Sequence, residues 1–258
     1  MQLKWKWFGT ATILMSVGDS SVIFDPFVSM NDKINAYNHA VAADARAILI
    51  THGHFDHLVD VPDLVKKYGQ DVYCAGVAAQ TLRREGMDAK KIKIVSPGDR
   101  FEIGDFKFTV WRSRHIVFDL KLILKTAFNR RVFDYGENLG KIIGLNRKYP
   151  KGEVLLWEIE AAGKRILHMG SLSLAPDVAY PQGVDLLTIP LQGRSDLNDF
   201  SMPILQRLKP RAIYLHHFDD TFPPVSSTVD YPSFVRKVQQ EFPSMEVIVP
   251  DYGEELVL

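Results

Sequence analysis

The sequence predicts an α/β fold, and three observations carry that expectation. Short apolar runs with the period of a strand recur along the chain, punctuated by Gly, Pro and Asp turns. Stretches with the apolar spacing of a helix lie between them. Histidines gather just after the strand-like runs, at His52 to His57, His115 and His216-His217. Open α/β sheets place their sites at the C-terminal ends of strands.

Length and composition set bounds. A chain of 258 residues is one large domain or two small ones, long enough to bury a real core. It is 46% hydrophobic and 24% charged, with formal net charge zero. That balance argues against a global electrostatic grip on nucleic acid. Cys74 is the only cysteine, so no intrachain disulfide forms and a reducing compartment fits. The N-terminus lacks the apolar stretch of a signal peptide, and no run of about 18 apolar residues predicts a membrane span. The expectation is a cytoplasmic protein.

Taken in order, Leu3 to Phe8, Thr12 to Val17 and Ser21 to Asp25 read as strands, with Gly9 and Gly18-Asp19-Ser20 as turns. Pro26 biases Asp25 towards an extended conformation. Residues 28–44 are polar and irregular, a length at which loops are often functional. Ala45 to Ile50 is a buried strand that runs into the histidine cluster, expected as a tight loop. Leu58, Val61, Leu64 and Val65 then predict a helix stopped at Gly69. Asp71 to Ala75 is a strand, and Ala78 to Glu85 a helix ended by Gly86. Lys91 to Val95, Arg100 to Ile103 and Phe106 to Trp111 are further strands.

Residues 116–151 break this rhythm. Leu120, Ile123, Leu124 and Phe128 are spaced for a short amphipathic helix. Lys121, Lys125, Arg130, Arg131, Lys141, Arg147, Lys148 and Lys151 outnumber Asp119, Asp134 and Glu137. The segment is too short to bury a core of its own, so it reads as an insertion within one domain spanning 1–258. Strands resume at Glu153 to Glu160, Arg165 to Met169, Asp185 to Pro190 and Ala212 to Leu215. Helices follow from Asp199 to Leu208 and Tyr231 to Phe242, and Glu246 to Val249 closes the chain.

The chemistry is concentrated in Thr51-His52-Gly53-His54-Phe55-Asp56-His57. Three of the eight histidines and one carboxylate fall within six positions. Imidazole and carboxylate are the donors of a zinc-like divalent cation.

The His-x-His-x-Asp-His pattern of His52, His54, Asp56 and His57 resembles the signature of the metallo-β-lactamase superfamily. The opening Trp7-Phe8-Gly9-Thr10-Ala11-Thr12-Ile13-Leu14 and Ile23-Phe24-Asp25-Pro26-Phe27 resemble it too, most of all its lactonase and phosphodiesterase-like branch of the L-ascorbate-6-phosphate lactonase type. The resemblance implies a four-layer αββα sandwich with a metal site at one edge of its two sheets. It implies that His52, His54 and His115 bind one cation, and that Asp56, His57 and a late histidine bind a second. The cofactor expected is Zn2+, one or two per chain, with Mn2+ as another divalent candidate. A zinc ion on three neutral histidines lowers the pKa of a bound water to about 7. Asp56 is then the candidate general base or water-orienting group.

Adjacent residues at a strand end point to different sides, so only one of His216 and His217 serves. His217-Phe218-Asp219-Asp220 resembles the family's last motif, which favours His217 and leaves His216 as the alternative. Asp25 resembles the family's early aspartate, which orients a ligand histidine. His39 and His168 read as structural or substrate-side. Arg112, Arg114 and Arg194 are candidate anion contacts, with Arg114 and Arg194 assigned to substrate.

One position departs from the family. An aspartate bridging the two metals is usual after the Arg165-to-Met169 strand, and Ser171 stands there. A neutral hydroxyl bridges two dications poorly, which weakens at least one site. The leading expectation is a metal-dependent hydrolase of an ester, lactone or phosphodiester. A non-catalytic metal- or ligand-binding relative is the alternative that Ser171 raises. A nuclease is disfavoured by zero net charge and kept open by the basic insertion. A di-iron redox role is disfavoured because His54 stands where that branch carries Glu. The expected partner is a small-molecule substrate, an anionic one if the arginines engage it. The insertion is a lid, a dimer surface or a peripheral lipid contact, and a homo-oligomer is left open.

Overall fold

The computed structural model describes the backbone of residues 1–258 and the side chains of all but Ile123, Lys125 and Ala127. The Ile123 side chain expected on an amphipathic face therefore lies outside the described residues.

Alternation at the N-terminus puts Leu3, Trp5 and Trp7 of β1 (Leu3–Trp7) on one buried face, while Lys4 and Lys6 pair with Glu255 on the other. β2 (Ile13–Val17) and β3 (Ser20–Phe24) continue antiparallel. β4 (Ala47–Leu49), β5 (Asp71–Cys74) and β6 (Ile92–Ile94) then add in parallel. Between them lie α1 (Phe55–Leu58), α2 (Val61–Tyr68) and α3 (Gly76–Arg84). α2 accepts Pro62 in its first turn and stops at Gly69, whose φ of 77° is left-handed.

β7 (Arg100–Ile103) and β8 (Phe106–Ser113) start the second sheet. The insertion follows as α4 (Leu120–Ala127), α5 (Arg131–Asp134) and α6 (Gly136–Lys148). The chain returns through β9 (Val154–Ala161), β10 (Lys164–Met169), β11 (Leu186–Pro190), α7 (Leu197–Leu208), β12 (Ala212–His216), α8 (Tyr231–Glu241) and β13 (Glu246–Ile248). A last strand, β14 (Glu255–Val257), crosses back to pair with β1. The sheets are seven-stranded, ordered β14-β1-β2-β3-β4-β5-β6 and β13-β12-β11-β10-β9-β8-β7. Each is antiparallel in one half and parallel in the other.

Trp5, Phe24, Phe108, Trp157, Leu167 and Leu187 fill the main core. α7 and α8 cover the second sheet with Leu205, Leu208, Phe234 and Val238. α2 and α3 cover the first with Leu64, Val65, Ala79 and Leu82, over Ile48 and Val72. The layers are helix, sheet, sheet, helix, as the resemblance implied.

Four expectations change, the first at Asp25, which turns at a φ of 43° rather than running extended before Pro26. The histidine cluster is loop only as far as His54, because Phe55 opens α1. The insertion holds three helices rather than one. The run at Glu246 is a strand as expected, β13, but it is not the last, because β14 follows it. Among the described residues, no helix is long and apolar enough to cross a membrane.

Candidate metal centre

The turn from extended chain into helix divides the cluster in two. His54 is extended, with φ −62° and ψ 154°. Residues two apart on extended chain share a side, so His52 and His54 face together, their rings 4.8 Å apart. α1 then swings Asp56 and His57 into a second group.

The second sheet completes both groups. His115 follows β8 and joins His52 and His54; His217 follows β12 and joins Asp56 and His57. Within each trio the donor atoms lie within 4.8 Å of one another. His217 turns at a φ of 56°, which separates it from its neighbour. His216 instead points into the core, with Nε2 2.9 Å from the Met169 carbonyl oxygen and its ring stacked on His168. The geometry removes His216 as the alternative donor.

A hydrogen-bond relay fixes which nitrogen of each ring is free. Asp25 accepts the Thr51 N–H at 2.8 Å and the Thr51 hydroxyl at 2.6 Å. With its proton given to Asp25, Thr51 Oγ1 accepts from His52 Nδ1 at 3.1 Å. His57 Nδ1 donates to Asp25 at 2.8 Å. His115 Nδ1 donates to the Ile116 carbonyl oxygen at 2.7 Å. In all three rings Nε2 is left for the cavity, with Nδ1 held by a hydroxyl, a carboxylate or a backbone carbonyl, the kind of partner that orients metal-ligand histidines. Gly170 is required behind this relay, because a Cβ there would stand 2.0 Å from Thr51 Oγ1.

The charges suit a divalent cation. Burial, then the neighbouring imidazoles, hold His52 well below the ordinary histidine range. Burial lowers His54 to about 4 and lowers His115 as well. These three rings are neutral donors at pH 7, and His52 Nε2 faces His54 Nδ1 at 3.2 Å. Burial alone would raise Asp56, but His57 and His217 outweigh it and hold the carboxyl well below its usual range. Burial works to lower His57, yet Asp25 and Asp56 outweigh it and raise its pKa. The two carboxylates thus demand positive charge at this point, which a cation meets in place of a proton. The donors present fit a metal.

These residues floor a cavity of about 360 Å³. Ser171 lines it, and its hydroxyl accepts the Ile116 N–H at 3.0 Å, tying down the loop that carries His115. The walls are largely apolar: Phe55, Ile116, Phe118, Leu122, Leu172 and Phe222. The insertion contributes Phe118, Leu122 and Asn146, which makes it a wall of the site.

The expected anion contacts are not on that wall. Arg114 is exposed and off the cavity, and Arg112 is spent on Asp177. Arg194 lies over the Phe200 ring at 4.5 Å, bonded to Asp196 and to the Val117 carbonyl oxygen. Asp177 and Asp196 pair with Arg112 and Arg194 in place of a substrate anion. Among the described residues, no arginine or lysine lines the cavity. His39 lies 3.4 Å from Asp60, and His168 is buried, 2.7 Å from Thr188 Oγ1. Sequence reasoning missed Thr51 as the centre of the relay. It named Asp219 only as part of a motif and missed its contact, accepting the Thr10 N–H at 2.9 Å and so joining the loop after β12 to the loop after β1.

Comparisons with known proteins agree with this architecture. The sequence signature of the beta-lactamase superfamily domain matches residues 20–218. A UPF0173 metal-dependent hydrolase from Staphylococcus aureus (strain JH9) is 29% identical over 227 residues, covering 86% of this chain and 87% of its own. A solved metallo hydrolase from the hyperthermophilic archaeon Ignicoccus hospitalis superposes with a TM-score of 0.68 at 16% identity, over 100% of this chain and 99% of that one. A metallo-β-lactamase fold protein from Bacillus subtilis gives a TM-score of 0.65 at 15% identity, over 100% and 99%. At such identities the two structures speak for the fold.

Proposed function

This chain belongs to the metallo-β-lactamase superfamily and to its metal-dependent hydrolases, and from that premise we propose that it is a zinc-dependent hydrolase of a neutral ester or lactone. The observation that carries the reading is the pair of donor trios on the floor of one apolar cavity. Imidazole-rich donor sets suit zinc over manganese. When bound, such a cation acidifies a water and polarises an acceptor oxygen.

The chain's own residues do the rest. His52, His54 and His115 would hold one cation as neutral donors, and Asp56, His57 and His217 would form a second, weaker site. Asp25 keeps the His57 ring turned so that Nε2 faces the cavity. Asp56, anionic across the neutral range, is a weak base and a good acceptor, so its role is to orient the attacking water. Phe118, Leu122 and Phe222 exclude bulk solvent and pack the apolar part of the substrate. Asn146 supplies an uncharged amide for the polar part.

The largely apolar wall favours an acyl bond with apolar substituents over a phosphodiester, for whose charge the described lining offers no cationic side chain beside the cation itself. The finer likeness to lactonases of L-ascorbate 6-phosphate is carried only as far as the lactone, for the same reason. The test is metal quantitation beside a screen of p-nitrophenyl esters, lactones and bis-p-nitrophenyl phosphate. His54→Ala should lower bound metal, and kcat/KM on the best ester or lactone by at least about 100-fold, since even partners outside the ligand set are worth 10–100-fold. Equal activity in wild type and His54→Ala overturns the hydrolase reading. A best substrate among the phosphodiesters overturns the choice of bond.

A further inference from the structure

We propose that residues 117–133 seat on an anionic lipid bilayer, bringing the mouth of the metal cavity against the headgroup layer. The segment exposes Val117, Phe118, Leu120, Leu124, Phe128 and Phe133. Phe128 and Phe133 are 85% and 88% exposed, values that leave almost the whole ring in water. Among the described residues, the other exposed large apolar side chains are spread along the chain one at a time, as at Val28, Ile94 and Tyr252, with Ile143 in the same insertion and Val225 on the cavity rim. A concentration of this kind marks an interaction surface, because each ring held in water forgoes the gain of burial.

Charge selects the partner. Within 117–133, Lys121, Lys125, Arg130 and Arg131 stand against Asp119, with Asp134 just past its end, in a chain whose net charge is zero. Asp119 is engaged by its own fold, capping α4 through the Leu122 N–H at 2.8 Å and accepting from Ser195. Arg131 is bound to Asp220. Lys121 and Arg130 are left exposed beside the apolar side chains. Basic residues interleaved with exposed Leu and Phe fit an anionic bilayer, where apolar groups enter the acyl boundary and cations meet headgroups. A second copy of this chain would set the same positive segment against itself.

The segment is continuous with the site. Phe118 and Leu122 line the cavity, and the Phe118 ring lies 6.0 Å from that of His115. Val225, exposed on the rim, lines it too. A seated segment therefore opens the cavity at the interface, where an amphiphilic ester or lactone concentrates. That consequence rests on the hydrolase reading; the docking itself does not.

The experiment is sedimentation of the full chain with phosphatidylcholine vesicles, with and without about one third phosphatidylglycerol. Binding is expected to the anionic vesicles and to fall at high salt. Phe128→Gln with Phe133→Gln should lower vesicle affinity at least about tenfold. Its metal content and its activity on a small soluble ester should be unchanged, since neither ring touches the site. Lys121→Glu with Arg130→Glu should abolish the preference for phosphatidylglycerol. Failure to bind anionic vesicles, or binding untouched by both double variants, overturns the proposal. So does a lipid-free dimer that the Phe128→Gln/Phe133→Gln variant splits, which assigns the face to a second copy. Vesicle binding without any hydrolysis would sustain the docking and count against the hydrolase reading alone.

Discussion

Ser171 bears on how much negative charge the candidate metal centre offers. Asp56 is the one carboxylate in the two donor trios, and the hydroxyl at Ser171 adds none. Two dications facing one carboxylate repel each other with little between them to offset it. The wild type is therefore expected to hold fewer than two tightly bound ions after dialysis. Ser171→Asp should raise the stoichiometry towards two, read by elemental analysis of the dialysed proteins. Two tight ions in the wild type would sink this account. Much at this scale was legible: histidine and carboxylate crowded into six positions leave few other meanings. The choice of His217 over His216 was less so, because it depends on a positive φ at a single residue. The Thr51–Asp25 contact spans 26 residues of sequence and left no local signal. The arginines misled because residue type shows what a side chain suits, whereas Asp177 and Asp196 decide what it meets.

The insertion is where element and sequence part most. α6 carries Gly136, Gly140 and Gly144, each of which weakens an isolated helix by about 1 kcal/mol relative to alanine. Local preference therefore argued against a helix that tertiary contact supports. A Cβ at any of the three would meet nothing within 4 Å, so no close packing explains them. What holds α6 is Ile142, which is 1% exposed in the core beneath α1 and α2, with Tyr149 just beyond the helix end. Ile142→Ala should cost about 2–4 kcal/mol in urea unfolding, as buried truncations do. Phe128→Ala, on an exposed ring of the same insertion, should stay within about 0.5 kcal/mol. Equal, small effects would mean that α6 is not part of the folded body. Strands were read more faithfully, since alternation and β-branched runs survive in short windows; their ends shifted by a residue or two, as at β4.

Across the whole molecule, each donor trio draws from both sheets. His52, His54, Asp56 and His57 follow β4 of the first sheet, while His115 and His217 follow β8 and β12 of the second. A bound cation is thus a cross-link between the two halves of the sandwich, at the edge where the main core ends. Binding to the native state alone stabilises it by RT ln(1 + [L]/Kd), about 4 kcal/mol when free metal stands at a thousand times Kd. For a chain of this size 1 kcal/mol moves Tm by about 2–4 °C. Chelation should therefore lower Tm by roughly 10 °C, and readdition of zinc should restore it. His115→Ala removes the second sheet's donor from one trio and should abolish most of that increment. A variant at His39, which lies outside both trios, should keep it. A Tm indifferent to chelator would mean that the sheets are held by the apolar core alone, and that the converging histidines do not bind metal in the folded protein.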